Sequence, residues 1–488
     1  MASTLPTSRD TFFIDGAWAK PSSSEMIDVI SPRNEEVFGR VPAGQPADID
    51  AAVAAARQAF DRGPWPYMTL EERAEILMRV VDEMRMRGPG IPEFLSGEMG
   101  GPMKMLGRGT DGSSFLIDHF IKLAREMGLV QVRQGAIGPA IIRREPVGVV
   151  GAITPWNGPL HMLMMKAAPA LVVGCTVVAK PSPEAPLDAY IFADACEAAG
   201  LPKGVFNLVP GGRETGEHLV RHPGVDKIAF TGSTAAGRRV AEICGRDIRR
   251  CSLELGGKSA AVALSDASAD AVAASAVPFG LAFNNGQACA ALTRIVVPRA
   301  RQAEFVEALS ARVATLVVGD PMDPSVDVGP VIAERQRTRI EGLIASGSDE
   351  GARLIAGGGR PAAHNRGWYV EPTLFADVDN QMTIAREEIF GPVGVVIPYD
   401  GDDQVAIDIA NDTSYGLAGA VFSADPVRAY EVARRIRAGT FGVNTFYIDP
   451  LVPFGGYKAS GVGRENGKEG LLNFVEVKTV LGLAAEPA

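Results

Sequence analysis

Cysteine and histidine are scarce in this chain, and its 48 basic residues are outnumbered by 58 acidic ones. Five cysteines occur in 488 residues: Cys175, Cys196, Cys244, Cys251 and Cys289. The number is odd and no two form a CxxC pair. That excludes a disulfide scaffold and a cysteine-based zinc site, and it fits a reducing cytoplasmic environment. The five histidines, His119, His161, His218, His222 and His364, form no HExxH or other local ligand cluster, so no metal is expected. The formal net charge is -10, which argues against nucleic acid as a partner. It leaves room for one phosphate-bearing ligand held by backbone N–H groups. Long apolar runs are also missing. The most apolar stretch, Ala167 to Ala179, is broken by Pro169 and Gly174 and falls short of the ~20 residues that cross a bilayer, so no membrane partner is expected. Met1 to Asp15 has no basic region followed by an apolar one, so no secretory signal is expected.

What is present reads as an ordinary globular chain, 46% hydrophobic and 22% charged. At roughly 150 residues per domain the length suggests about three domains. The 55 glycines point to many tight turns and close backbone approaches. Two early helices are expected, Asp48 to Phe60 and Thr69 to Arg87. The second opens on a capping box of Thr69 and Glu72. Arg133 to Arg144 alternates weakly around Gly135 and Gly138 and reads as an exposed hairpin. The middle of the chain alternates strand and helix. Strands are predicted at Val147 to Ile153, Thr176 to Lys180, Val205 to Val209 and Lys227 to Phe230. Helices are predicted at Pro159 to Val173, Glu184 to Ala199, Glu214 to Arg221 and Ala235 to Cys244. Such alternation implies a doubly wound parallel sheet, with ligands outside the carboxyl ends of its strands. A second α/β alternation runs from about Gly257 to Pro453. Asn473 to Leu483 alternates once more, as an added edge strand would.

Three motifs match by letter and fail by context. Gly107 to Gly112 spells GxGxxG, but no strand precedes it and no acidic partner follows at the expected spacing. Gly257-Lys258-Ser259 resembles the end of a phosphate loop, but its first glycine would fall at Ser252. No GxSxG elbow exists for a serine hydrolase.

Other segments carry chemistry. Cys289 sits in a polar turn, Asn284-Asn285-Gly286-Gln287-Ala288-Cys289, where amides and backbone N–H groups would favour the thiolate. The segment alone does not separate a nucleophile from a packing cysteine. The other four cysteines lie in apolar or helical surroundings and read as core residues. Glu254 stands between Leu253 and Leu255, where burial would raise its pKa and make it a general base; a surface glutamate on an edge strand is the alternative. Asn157 follows a strand and precedes a helix, where its amide could face an oxyanion or simply cap the helix. Lys180 ends another strand, within reach of a ribose or phosphate.

Seven segments then occur in order: PWNGP, KPSPE, FTGSTAAG, LELGGKS, FNNGQAC, EEIFGPV and PFGGYKASGVGRE. Together they resemble the aldehyde dehydrogenase superfamily, and the resemblance covers essentially the whole chain. It implies an α/β fold of two doubly wound parallel-sheet domains, a Rossmann-like cofactor domain (1–127 and 147–256) and a catalytic domain (257–470). A small β oligomerisation arm (128–146 and 471–488) implies a homodimer or homotetramer. It implies that Cys289 attacks the aldehyde, that Asn157 and the Cys289 N–H hold the oxyanion, and that Glu254 activates water against the thioester. Lys180, with Ser182 and Glu184 after it, matches the adenosine ribose contacts, Gly212 and Gly216 the adenine loop, and Gly232 and Ser233 the pyrophosphate contact. Glu388 and Phe390 match the nicotinamide side, with Ile153, Thr154, Trp156 and Leu255 lining the same cleft.

The sequence departs from the family pattern in two places. Many NAD-using relatives carry Glu three residues after Lys180, whereas this chain has Pro183 followed by Glu184. NAD is expected, with NADP as the alternative. Bulky rings common in relatives are replaced by Gly158 and Met165, beside Met162, Phe283, Phe446 and Tyr447. A wide apolar pocket for an aromatic or terpenoid aldehyde is therefore expected. The competing activities are a CoA-acylating semialdehyde dehydrogenase, which generally lacks the base, a thiol esterase and a non-catalytic binding protein.

Overall fold

A computed structural model describes residues 5–107, 113–483 and 485. Residues 108–112, which hold most of the GxGxxG match, lie outside the described residues. Four sheets organise the described residues. In the largest, five parallel strands run in the order Arg250–Glu254, Lys227–Thr231, Val149–Ile153, Thr176–Lys180, Phe206–Leu208. The middle strands are short, β-branched and buried along their length, as strands covered on both faces must be. Two antiparallel strands, Phe12–Ile14 and Ala17–Ala19, extend one edge, and Gly461–Val462 closes the other.

The path through this sheet places the site. From Val149–Ile153 the chain steps outward to Thr176–Lys180 and Phe206–Leu208. It then crosses back, so that Lys227–Thr231 pairs with the other side of Val149–Ile153. The winding direction reverses between those two strands, and a crevice opens at their carboxyl ends. The flanking helices are Pro159–Val173, Asp188–Ala198, Arg213–Arg221 and Thr234–Arg246. The first of these was expected to the residue. The second begins four residues later than expected because Pro186 disfavours helical geometry in the residue before it. Glu184 is thereby left in the loop over the crevice rather than in a helix.

A second sheet of seven strands has Ala260–Ala263 and Arg294–Pro298 at its centre, parallel to each other. The third sheet joins Val130–Gln134 and Pro139–Pro146 to Val475–Leu481 by antiparallel pairing, so the expected hairpin and C-terminal strand form one arm. Early helices Pro46–Asp61 and Leu70–Arg87 are present, and the Thr69–Glu72 capping box forms as expected. Cys175, Cys196 and Cys244 are buried as packing residues, and Cys251, partly exposed, packs against the same apolar cluster as Cys244. Among the described residues no helix is long and apolar enough to cross a membrane, and no three His, Cys, Asp or Glu side chains group as metal ligands.

Candidate active site

At the reversal point the carboxyl ends of the strands open into a cavity of about 910 Å³. Ile153, Thr154 and Trp156 form one wall, and Gly232 and Ser233 the other. Ser233 caps the helix Thr234–Arg246 by accepting from the Ala236 N–H at 3.3 Å. The remaining first-turn N–H groups suit an anion such as a pyrophosphate. Lys180, Ser182, Glu184, Gly212 and Gly216 line the far end. A Cβ on Gly216 would sit 3.4 Å from the Lys180 side chain, so glycine keeps that end open. Lys180 is buried, which lowers its pKa to about 8, and its ammonium donates to the Pro181 and Gly211 carbonyls at 2.8 and 2.6 Å. Glu184 accepts from Ser182 and pairs with Arg335, a contact the sequence did not reveal. Ten predicted cofactor residues thus share one cavity, and its helix end, buried lysine and glycine cradle fit a dinucleotide.

Leu255, Glu388 and Phe390 are not among the lining residues of that cavity, but each is tied to it. Leu255 fills the space that glycine leaves at Gly237, where a Cβ would come within 2.3 Å of it. The Phe390 ring meets Trp156 edge-on, with centroids 5.2 Å apart. Phe390 has a positive φ of 58°, and Gln336 holds this strained backbone by donating to the Phe390 carbonyl at 2.8 Å. Glu388 accepts from the Gly257 N–H at 3.0 Å, and burial raises its pKa to about 7.

Gly256 and Gly257 are where three motifs converge. A Cβ on Gly256 would lie 2.4 Å from the Glu388 carboxylate, and one on Gly257 would lie 2.2 Å from the Cys289 carbonyl oxygen. No side chain fits at either position. The strand that ends at Glu254 therefore runs directly into contact with both the Glu388 and the Cys289 segments.

The turn before Cys289 is strained. Asn284, Asn285 and Gly286 all have positive φ, at 49°, 60° and 72°. Two consecutive non-glycine residues in that region need outside support. Asn285 supplies it, donating to the carbonyls of Gly100 and Pro330 at 2.9 and 2.8 Å and accepting from Gly329 N–H at 2.6 Å. Gln287 accepts from Ile332 N–H at 2.9 Å, and Asn284 donates to the Asn157 carbonyl at 2.6 Å. The sequence showed these amides only as a polar turn, and the partners that make them supports lie up to 185 residues away. We expect Asn285→Ala to cost about 3 kcal/mol, from partners left unsatisfied. It should also cut kcat about 100-fold by displacing Cys289. Denaturant melts and steady-state rates check both, and an unchanged kcat would show that the turn does not need Asn285.

Cys289 itself departs from expectation. Burial pushes its thiol up to about 12, and the nearby Glu388 and Glu254 carboxylates act in the same direction. The amides around it do not outweigh burial. The Asn157 amide donates to the Gln287 carbonyl at 3.0 Å, which leaves its second N–H free.

Glu254 is 3% exposed, and neither carboxylate oxygen has a hydrogen-bond partner. Burial raises its pKa well above the usual carboxylate range, and Glu465 adds to the effect. A Cβ on Gly455 would come within 2.5 Å of Glu254 Oε1, so glycine makes room for the carboxylate there too. Glu465 pairs with the fully buried Lys166, which also donates to Thr231 Oγ1 at 2.6 Å. Lys166 and Glu465 were not foreseen: each lies in a helical or loop segment whose pattern gives no sign of the other.

The predicted apolar residues gather only in part. A Cβ on Gly158 would meet nothing within 4 Å, so the space of the missing ring stays open. Met162 is partly exposed, but Met165 and Phe446 are 4% exposed and packed in the main core. Phe283 is on the surface and is linked to Phe446 through Phe279, with ring centroids 6.0 and 5.4 Å away. Phe279 was not predicted. Tyr447 is 62% exposed, outside this ring cluster.

Comparisons with known proteins agree with this site. Residues 18–480 match the model of the aldehyde dehydrogenase family. The chain is 45% identical over 472 residues to geranial dehydrogenase of Castellaniella defragrans, covering 96% of this chain and 98% of the relative. It is 41% identical to 3-succinoylsemialdehyde-pyridine dehydrogenase of a Pseudomonas species, covering 96% and 98%. Among solved structures, a Mycobacterium tuberculosis aldehyde dehydrogenase complexed with NAD+ superposes with TM-score 0.95 at 46% identity, covering 100% of both chains. A mutant of aldehyde dehydrogenase C from Pseudomonas syringae, in complex with NAD+ and octanal, gives 0.92 at 40% identity, covering 100% and 99%. The chain therefore belongs to the aldehyde dehydrogenase family, NAD(P)-dependent enzymes that oxidise aldehydes to acids.

Proposed function

We propose that this enzyme oxidises a bulky apolar aldehyde, aromatic or terpenoid, to its carboxylic acid, with NAD+ preferred. The observation that carries the mechanism is the convergence at Gly256–Gly257 of the segments bearing Cys289, Glu388 and Glu254. Cys289 adds to the carbonyl carbon as a thiolate. The free N–H of Asn157 and the Cys289 backbone N–H hold the resulting oxyanion, and a donor of this kind is typically worth about 3 kcal/mol. When bound, the oxidised coenzyme supplies a positive charge that favours the thiolate and accepts hydride from the adduct. Glu254 then takes a proton from water as water attacks the thioester, and Cys289 leaves as the thiolate. The Glu465–Lys166 pair is near enough to act on the Glu254 charge, with Glu465 favouring its protonated form and Lys166 opposing it.

A water-activating base supports hydrolysis over transfer to CoA. At the adenosine end the Glu184 carboxylate lines the cavity, and a carboxylate there would repel a 2′-phosphate, which supports NAD over NADP, although Arg335 offsets part of that charge. The three-stranded sheet supports assembly into a homodimer or homotetramer, because Val132, Val477 and Leu481 are exposed on it. The open space at Gly158 supports a large substrate, and the similar geranial dehydrogenase and the octanal complex of a similar enzyme point the same way.

A panel of aldehydes with NAD+, followed by NADH absorbance with and without CoA, tests this reading. We expect kcat/KM for a terpenoid or ring-bearing aldehyde to exceed that for acetaldehyde by about 100-fold or more, from burial of several extra carbons. CoA should have no effect. Equal or better use of acetaldehyde would reject the wide pocket, and no NADH from any aldehyde would reject the whole reading.

A further inference from the structure

One side chain of the dinucleotide cavity comes from elsewhere in the chain. Every other residue that lines it falls between Ile153 and Ile243; the exception is Arg335. Arg335 is the second residue of the helix Glu334–Asp349, and it crosses to pair with Glu184, 151 residues earlier. Both partners line the cavity. The Glu184 carboxylate is held from two sides: Oε2 accepts from Ser182 Oγ, and Oε1 accepts from the Arg335 guanidinium. The start of the helix is anchored as well. Gln336 donates to the Ile389 and Phe390 carbonyls at 3.2 and 2.8 Å, and Arg337 donates to the Gly367 carbonyl at 2.9 Å. A fixed turn therefore delivers Arg335 to the cavity. Its side chain is 66% exposed, against 15% for Glu184, so the guanidinium is the member of the pair with room to turn.

We propose that Arg335 is a coenzyme-specificity residue: paired with Glu184 it keeps the adenosine end selective for NAD+, and freed of Glu184 it receives the 2′-phosphate of NADP+. This rests on the NAD preference proposed above. The other cations of the lining are Lys180, Arg213 and Arg239. Lys180 is buried, and its ammonium donates to the Pro181 and Gly211 carbonyls. Arg239 pairs with Glu217 and Glu242 at 2.8 Å each. Arg213 opens the helix Arg213–Arg221 and is exposed. Only Arg335 among the four pairs with the carboxylate that stands against the phosphate. A planar guanidinium fork binds carboxylate and phosphate alike, through two parallel N–H donors. In the unaltered chain Glu184 occupies that fork and also repels the phosphate. Glu184→Gln removes both obstacles and leaves the fork for the phosphate. Arg335→Gln does the opposite: Glu184 keeps its charge, loses its partner and excludes NADP+ more strongly.

Isothermal titration of the full-length enzyme with NAD+ and with NADP+ tests this by binding alone, without turnover. The unaltered chain should bind NAD+ more tightly. Glu184→Gln should lower the Kd for NADP+ by about tenfold or more, as when a hydrogen bond between charged groups is gained. That gain should shrink as salt is added. Arg335→Gln on top of Glu184→Gln should abolish the gain, whereas Arg213→Gln on top of it should leave most of it. Arg335→Gln alone should raise the ratio of the NADP+ Kd to the NAD+ Kd by about tenfold. Three results would overturn the proposal: no gain in Glu184→Gln, a gain that survives Arg335→Gln, or a gain that Arg213→Gln removes instead. Tighter binding of NADP+ than of NAD+ by the unaltered chain is a different failure, which rejects the NAD preference and the proposal with it. If Glu184→Gln fails to fold, Arg335→Gln decides alone, and an unchanged or lower ratio overturns the proposal.

Discussion

Replacing Cys289 by alanine should abolish aldehyde oxidation, with kcat falling by about 10⁴-fold or more, as when a covalent nucleophile is removed. The fold should survive, because the change deletes one sulfur at a partly buried position whose backbone is held by Asn284, Asn285 and Gln287. Thermal unfolding of the variant should stay near that of the unaltered chain, and NAD+ binding should persist, since Cys289 does not line the dinucleotide cavity. The measurement is NADH formation with the preferred aldehyde, paired with coenzyme titration by fluorescence. Turnover within tenfold of the unaltered enzyme would remove Cys289 from the nucleophile role. The same logic makes serine a poor substitute: burial already pushes the more acidic thiol up to about 12, and a hydroxyl in the same place ionises less readily.

Glu254→Gln has a different signature. The amide fits the same space beside Gly455 but cannot accept a proton. Acylation of Cys289 should proceed, so the variant gives a burst of NADH equal to the number of active sites. The steady rate should then fall by about 10²- to 10⁴-fold, the usual contribution of a general base. The pH dependence follows from the sign of the shift. Burial and Glu465 raise the Glu254 pKa, so the loss of the proton that makes it a base is moved to higher pH. Deacylation in the unaltered enzyme therefore rises as pH increases through that raised value, and the rise disappears in Glu254→Gln. Rapid-mixing traces over a pH series check both features. A variant with normal steady turnover, or with the same rising pH limb, would take Glu254 out of the base role.

The winding of the first sheet was legible because its strands are buried on both faces and alternate with helices at regular spacing. Helix Pro159–Val173 and strand Thr176–Lys180 agree with the sequence reading to the residue. The helix after Lys180 was misjudged at its start, since Pro186 overrides an otherwise helical pattern. At the site, Cys289, Glu254 and Asn157 stood out because each is chemically out of place in its local segment. Their supports did not. Asn285 is satisfied by Gly100, Gly329 and Pro330, and Lys166 by Glu465, across separations that no local pattern encodes. The protonation of Cys289 was misjudged for a related reason: a polar turn suggests a solvated thiol, whereas tertiary packing desolvates it and places two carboxylates nearby. Met165 and Phe446 were expected to line an open pocket, and both are spent largely on core packing.

The most direct test of the account is to stop the reaction between its two halves. Glu254→Gln is mixed with NAD+ and an apolar aldehyde such as octanal, quenched in acid within the burst, digested and mapped by mass spectrometry. The account predicts an acyl group on the peptide containing Cys289, in the same amount as the NADH released. NADH released without acylation of Cys289, or an acyl group on a different residue, would contradict it.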